Sequence, residues 1–164
     1  MTHPQTKAKL THMMRILPTL ILLLYGCVFS LPAQLAPIGA PTITHFSRTD
    51  YQAGTQNWTI HQNERGLLYF GNNKGLLEFD GTNWQIYPLP NHTIVRSCYL
   101  DPRGYIYLGG QNELGYLQAN ERGEQTYTSL TSLLPPELRC FEDIFMIFRR
   151  VDALIFCSDK SIFT

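Results

Sequence analysis

Past residue 57 the chain breaks into short runs of three to six residues in which apolar and polar positions alternate or cluster, each bounded by turn chemistry. Thr59–Gln62, Leu67–Gly71, Leu76–Phe79 and Trp84–Tyr87 are rich in aromatic and branched residues, as strands are. The same order follows as Val95–Leu100, Tyr105–Gly109, Tyr116–Gln118 and Gln125–Ser129, then as Phe145–Arg149, Ala153–Cys157 and Ile162 onward. Asn63-Glu64-Arg65-Gly66 and Asp101-Pro102-Arg103-Gly104 divide the first strand from the second. Asp or Asn first, Pro second and Gly fourth is a type I turn preference. A second turn closes on Gly75 and on Gly115, where glycine permits positive φ. Asp80-Gly81-Thr82-Asn83 and Asn120-Glu121-Arg122-Gly123 lead into the fourth strand.

The pattern recurs. Arg65-Gly66, Tyr69 and Gly71 return as Arg103-Gly104, Tyr107 and Gly109, a spacing of 38 (65 to 103). A period near 40 makes each copy one supersecondary unit that cannot bury its apolar face alone. Four short strands per period predict an all-β fold of β-propeller blades, each a four-stranded antiparallel sheet. A sandwich also has short strands, but it gives no reason for Arg-Gly, Tyr and Gly to return in register. The third copy is worn. Thr131 to Asp143 adds a Leu-Leu-Pro-Pro-Glu-Leu insertion, expected to hold one helical turn with Pro at its start. Asp152 takes the place of Gly66 and Gly104, Cys157 that of Gly71 and Gly109, and Ser161 that of Gly75. The count is about two blades plus part of a third, fewer than the roughly 4–8 of a closed ring. An open fan leaves raw sheet surfaces, so residues 34–164 are expected to be insoluble, oligomeric or loosely folded.

The N-terminus has a different composition. Lys7, Lys9 and Arg15 precede an almost wholly apolar run from Ile16 to Leu31, and Pro32-Ala33 precedes Gln34. That layout is a secretory signal peptide, with cleavage expected between Ala33 and Gln34. Two rivals stay open. Leu24-Tyr25-Gly26-Cys27 loosely resembles a lipoprotein box. An uncleaved anchor would need about 20 apolar residues, and Pro18, Gly26 and Pro32 interrupt this run. The expected organisation is a signal peptide at 1–33, a lead-in arm or added edge strand at 34–57, the first blade at 58–92, the second at 93–130, and the insertion with a partial third blade at 131–164.

Of 164 residues 44% are hydrophobic, and the formal net charge is zero, which fits a globular chain rather than a disordered one. Lys7, Lys9 and Arg15 offset the acidic excess of the rest, since every Asp and Glu lies at Asp50 or later. A basic face for nucleic acid is therefore not expected. Cys27 would leave with the signal; Cys98, Cys140 and Cys157 match no metal spacing and read as small buried apolar residues.

The order of turn glycine, aromatic, glycine, turn Gly-Leu and Asp-Gly resembles the two-component regulator propeller repeat, D-x-x-G-x-[LI]-W-[IL]-G-T-x-x-G-[LI]-x-x-[FY]-D-G. The first copy matches at Gly66, Leu68, Phe70, Gly71, Gly75, Leu76, Phe79, Asp80 and Gly81, with Tyr69 for the Trp, Asn63 for the Asp and Asn72 for the Thr. The second keeps Asp101, Gly104, Ile106, Tyr107, Gly109 and Gly115, with two extra residues in its second turn. The resemblance implies the periplasmic sensor region of a bacterial hybrid sensor kinase, or of a regulator with a three-tyrosine sandwich, one membrane helix and a helix-turn-helix output. It also implies that this chain is the N-terminal fragment of such a protein. Neither a kinase His motif nor a receiver Asp is present in the sequence.

No catalytic motif stands out. His61 and His92 lie in different contexts and form no H-E-x-x-H or Cys-x-x-Cys pattern, so they read as surface polar residues. Glu142-Asp143 and Glu78-Asp80 are carboxylates near turns, ordinarily solvated. The sialidase Asp box is not matched, because Asp101 and Gly104 are three apart and its Ser is missing. The expectation is a non-enzyme without a cofactor or metal. Its partner would be a small-molecule or glycan ligand of the full-length parent, with membrane contact only through export or a downstream helix. Trp58, Trp84, Tyr69, Tyr107 and Asn72 supply the aromatic and amide content behind the glycan expectation. Asn72-Asn73 and Gln111-Asn112 read more plainly as turn formers. A secreted propeller enzyme acting on polysaccharide and a protein-binding scaffold remain the alternatives.

Overall fold

The computed structural model describes residue 39 and residues 41–164. The Ala33–Gln34 cleavage site, the apolar run and Cys27 lie outside the described residues. Residues 45–164 form one compact unit. It is all-β apart from a helical turn α1 (Arg48–Tyr51) and two single 3₁₀ turns at Thr131–Leu133 and Pro136–Leu138.

Eleven strands make three antiparallel sheets, each a meander of neighbours in sequence. Sheet 1 holds β1 (Asn57–Gln62), β2 (Leu68–Asn72), β3 (Gly75–Phe79) and β4 (Trp84–Tyr87). Sheet 2 holds β5 (Val95–Leu100), β6 (Ile106–Gly110), β7 (Leu114–Ala119) and β8 (Gln125–Ser129). Sheet 3 holds β9 (Ile144–Arg150), β10 (Ala153–Ser158) and β11 (Ile162–Phe163). The strands read from alternation are all present, with ends displaced by one or two residues.

One turn design recurs. Asn63 Oδ1 accepts from the backbone N–H groups of Arg65 and Leu67, both at 3.0 Å, and Gly66 sits at φ +85. Asn120 with Gly123 (φ +82) repeats both bonds, and Asp101 with Gly104 (φ +91) repeats the first, from Arg103. The short side-chain acceptor replaces a missing ladder partner, and glycine takes the left-handed position without a Cβ penalty. The expectation for Gly115 needs correction. Gly75 does adopt positive φ (+132), but Gly115 does not; Asn112 (φ +52) carries that conformation in its turn. Gly115 is needed for close approach instead, since a Cβ there would lie 2.3 Å from the Thr128 carbonyl oxygen.

Two apolar layers hold the sheets face to face. Tyr69, Leu76, Leu89, Val95, Cys98, Ile106, Leu108 and Leu117 close the first, between sheets 1 and 2. Leu114, Phe141, Ile144, Ile147 and Phe156 close the second, between sheets 2 and 3. Strand alternation explains how β6 serves both layers: Ile106 and Leu108 face sheet 1, while Tyr107 faces sheet 3. The insertion contributes Leu134 and Phe141 to the second layer, joined by Leu130 just ahead of it, and Pro136 opens its second 3₁₀ turn. Gly71 and Gly109 let the next sheet's first strand cross closely, meeting Val95 and Ile144 respectively.

Three further expectations change. Residues 45–53 are not an added edge strand; they lie on the outer face of sheet 1, with Phe46 and Tyr51 against Trp84 at 5.4 and 5.5 Å between ring centroids. The first turn of sheet 3 is a tight one in which Arg150 pairs with Ala153, and Val151 rather than Asp152 takes positive φ (+52). Cys98 is buried, Cys157 half-buried and Cys140 exposed, and all three thiols are free. Burial pushes the Cys98 thiol up to about 12.

Candidate functional site

The first strand of every sheet contains one residue that belongs to no pair. In sheet 1, Asn57 opposes Asn72 and Thr59 opposes Gly71, so Trp58 is extra. In sheet 2, Val95 opposes Gly110 and Ser97 opposes Gly109, so Arg96 is extra. In sheet 3, Ile144 opposes Ser158 and Met146 opposes Cys157, so Phe145 is extra. These are β-bulges, which bend the strand and re-aim one side chain out of the alternation.

The three bulged side chains meet. The Arg96 guanidinium carbon lies 3.6 Å from the centroid of the Trp58 ring and 5.9 Å from that of Phe145. Stacking of this kind contributes about 0.5–2 kcal/mol, depending on how dry the contact is. Asp143, just ahead of β9, fixes the cation: its Oδ2 accepts from Arg96 Nε at 3.0 Å and lies 3.0 Å from the terminal Nη2. Its Oδ1 is buried with no hydrogen-bond partner. Trp58 Nε1 donates to Asn73 Oδ1 at 2.7 Å, which sets the tilt of the indole. Trp58 is 39% exposed and Phe145 52% exposed, so this end of the sheets carries an aromatic–cation–aromatic ladder open to solvent.

Most residues singled out from the sequence do other work. Asn72 is fully buried, and its side chain ties the lead-in to sheet 1: Nδ2 donates to the carbonyls of Gly54 and Gln56 and to Asn57 Oδ1, while Oδ1 accepts from Gly54 and Lys74. Tyr69 is buried in the first apolar layer. Tyr107 stacks on Tyr105 and meets Tyr116 and Phe156 edge-on, on the side of sheet 2 that faces sheet 3. Trp84 lies beneath Phe46 on the outer face of sheet 1. Of the five glycan candidates, Trp58 alone stands in the ladder. Asn112 accepts from the Glu142 backbone N–H at 2.7 Å, a turn role.

The histidines and acids are likewise placed. His61 is half-buried rather than a surface residue; its Nε2 lies 2.8 Å from the Thr59 hydroxyl, and burial lowers its pKa. His92 is exposed, with φ +53. Asp80 accepts from the backbone N–H groups of Thr82 and Asn83, which holds its carboxyl below the usual range. Glu142 pairs with Lys160 at the surface, apart from Asp143. Among the described residues no three His, Cys, Asp or Glu side chains converge as metal ligands, and no helix is long and apolar enough to cross a membrane.

The sequence reading assigned Arg96 and Phe145 no site role, and the expectation that Asp143 and Glu78 are solvated needs correction, since both are half-buried. The usable signal was the alignment of the first strands, in which Trp58, Arg96 and Phe145 occupy one slot that breaks alternation. Comparison with family models, curated proteins and solved structures returns no match.

Proposed function

We propose that this chain is the N-terminal part of an exported, ligand-sensing β-propeller of a bacterial signal-transduction or transcription regulator, and not itself an enzyme. The reading rests on the resemblance of its repeats and on the ladder of Trp58, Arg96 and Phe145. In a ring of such sheets, one bulged side chain per sheet points to a common end, the arrangement a solute-binding surface needs. Trp58 is the stacking element for a sugar ring, and Arg96, held by Asp143, is the polar anchor beside it. A glycan fragment is the proposed ligand, bound without being turned over.

The face of sheet 3 that points away from sheet 2 also supports the propeller assignment. Met146, Phe148 and Ile162 lie exposed there, at positions equivalent to those through which sheets 1 and 2 receive the next sheet. A fourth sheet is its proposed neighbour.

The experiment is a glycan panel run on the full-length parent, with product analysis, and on this chain. The parent binds and leaves the glycan intact, Trp58→Ala weakens binding at least fivefold, and the chain alone shows no measurable affinity because later sheets complete the site. Hydrolysis or elimination by the parent selects the polysaccharide enzyme instead. Export is tested separately: N-terminal sequencing of the product made in a Gram-negative host finds Gln34 first, and Met1 or an acylated Cys27 overturns that assignment.

A further inference from the structure

At the opposite end of the strands from the bulges, a cleft of about 730 Å³ opens between sheets 1 and 2. That is the size range of small-molecule sites. Sheet 1 contributes Tyr69, Glu78 and Tyr87; sheet 2 contributes Ile106 and Gln125. Glu78 reaches it because β3 alternates: Leu76 and Glu78 share the face toward sheet 2, while Leu77 and Phe79 point away.

Glu64 and Arg65 also line the cleft, both exposed on the β1–β2 turn. Glu78 is half-buried, opposite Tyr69 across the β2–β3 pair, and no Lys or Arg among the described residues pairs with it. Burial pushes its carboxyl up; the Tyr69 hydroxyl pulls it partly back and Asp80 adds to the rise. Gln125 Oε1 is buried and accepts nothing. Buried acceptors are ordinarily satisfied, so an orphan in the same cleft as a half-buried carboxylate with no cationic partner asks for a donor from outside. Asp101 also lines the cleft, but Arg103 and Arg149 already occupy its oxygens. Phenol rings beside the carboxylate favour a cation, through the negative face of the ring.

We propose that this cleft binds a small primary ammonium solute. Its N–H groups donate to the Glu78 carboxylate and to Gln125 Oε1, and its carbon stem lies against Tyr69, Tyr87 and Ile106. A quaternary ammonium lacks the donors, an anion meets Glu78, and a metal ion finds Glu78 with the exposed Glu64 beside Arg65 in sequence, where it needs a full set of oxygen ligands. Both walls are complete in this chain, so the site is local to sheets 1 and 2 and independent of the ladder.

The test is saturation-transfer NMR on the full chain, with n-butylamine and 1,4-diaminobutane as probes and tetramethylammonium and n-butanol as controls. Both amines give saturable transfer and the controls do not. Glu78→Gln weakens amine binding at least tenfold, Gln125→Leu weakens it severalfold, and Val151→Gly, in the β9–β10 turn outside the cleft, leaves it unchanged. Circular dichroism verifies that each variant is folded, and the two variants report independently if one of them is not. Absence of amine binding, equal transfer to tetramethylammonium or butanol, or unaltered affinity in either folded variant overturns the proposal.

Discussion

Sheets 2 and 3 approach closely at Gly109. A Cβ at this position would lie 2.4 Å from Ile144 Cγ2 and 2.6 Å from both Ile144 Cβ and Ser97 Oγ. Carbon atoms in contact prefer about 3.5–4.0 Å, so Gly109→Ala must push β9 away by about 1 Å. That displacement stretches the buried bond in which Ser97 Oγ donates to the Ile144 carbonyl at 2.7 Å. Overpacking costs about 1–3 kcal/mol and loss of the bond about 1 kcal/mol, giving about 2–4 kcal/mol in all. Gly104→Ala is the control. Its Cβ would meet nothing within 4 Å, and only the left-handed backbone (φ +91) resists it, at about 1 kcal/mol. Urea unfolding followed by far-UV circular dichroism gives the two costs. Amide hydrogen exchange locates them: Gly109→Ala should lower protection in β9 and β10 while β1–β4 keep theirs. A cost for Gly109→Ala no larger than for Gly104→Ala, or protection lost evenly across the three sheets, would refute the argument that this glycine sets the spacing between sheets.

Other outcomes follow from the same geometry. Val151 is β-branched yet sits at φ +52 in the β9–β10 turn, so Val151→Gly should raise stability by about 0.5–1 kcal/mol in the same urea assay; a loss would show that the turn prefers Val. Hydrogen bonds from the Arg103 side chain hold the buried Asp101 carboxyl at about 2, with Arg149 adding to the effect. Its folded-state pKa is depressed, so its contribution is complete above the ordinary carboxylate range near 4 and is lost as pH falls through about 2. Thermal melts from pH 5 to 2 should therefore decline less steeply for Asp101→Asn than for wild type, and parallel curves would refute the linkage. The uncovered face of sheet 3 should drive self-association; light scattering should find a smaller particle for the Phe148→Lys, Ile155→Lys double variant, and a monomeric wild type would contradict this.

The strands were legible because local signals agreed. Alternation placed β1, β5 and β9, and Asn63, Asp101 and Gly66 each carry a turn preference that acts within four residues. The lead-in was not legible, because Phe46 and Tyr51 find their partner, Trp84, across the chain rather than beside them. Gly115 was misjudged since a glycine can answer to its own φ or to a neighbour's atoms, and only the structure separates the two. The ladder stayed hidden for a related reason. A bulge is defined by two strands together, and no single strand announces which of its residues will go unpaired.

That unpaired slot has an evolutionary meaning. The strand residues buried between sheets are bound by two constraints at once, since their neighbours fix the side they face and the adjoining sheet fixes their size. Trp58, Arg96 and Phe145 escape both, and the same backbone carries an indole, a guanidinium and a phenyl ring there. Mutation can redraw the chemistry of this end of the molecule one sheet at a time while the framework that presents it stays as it is.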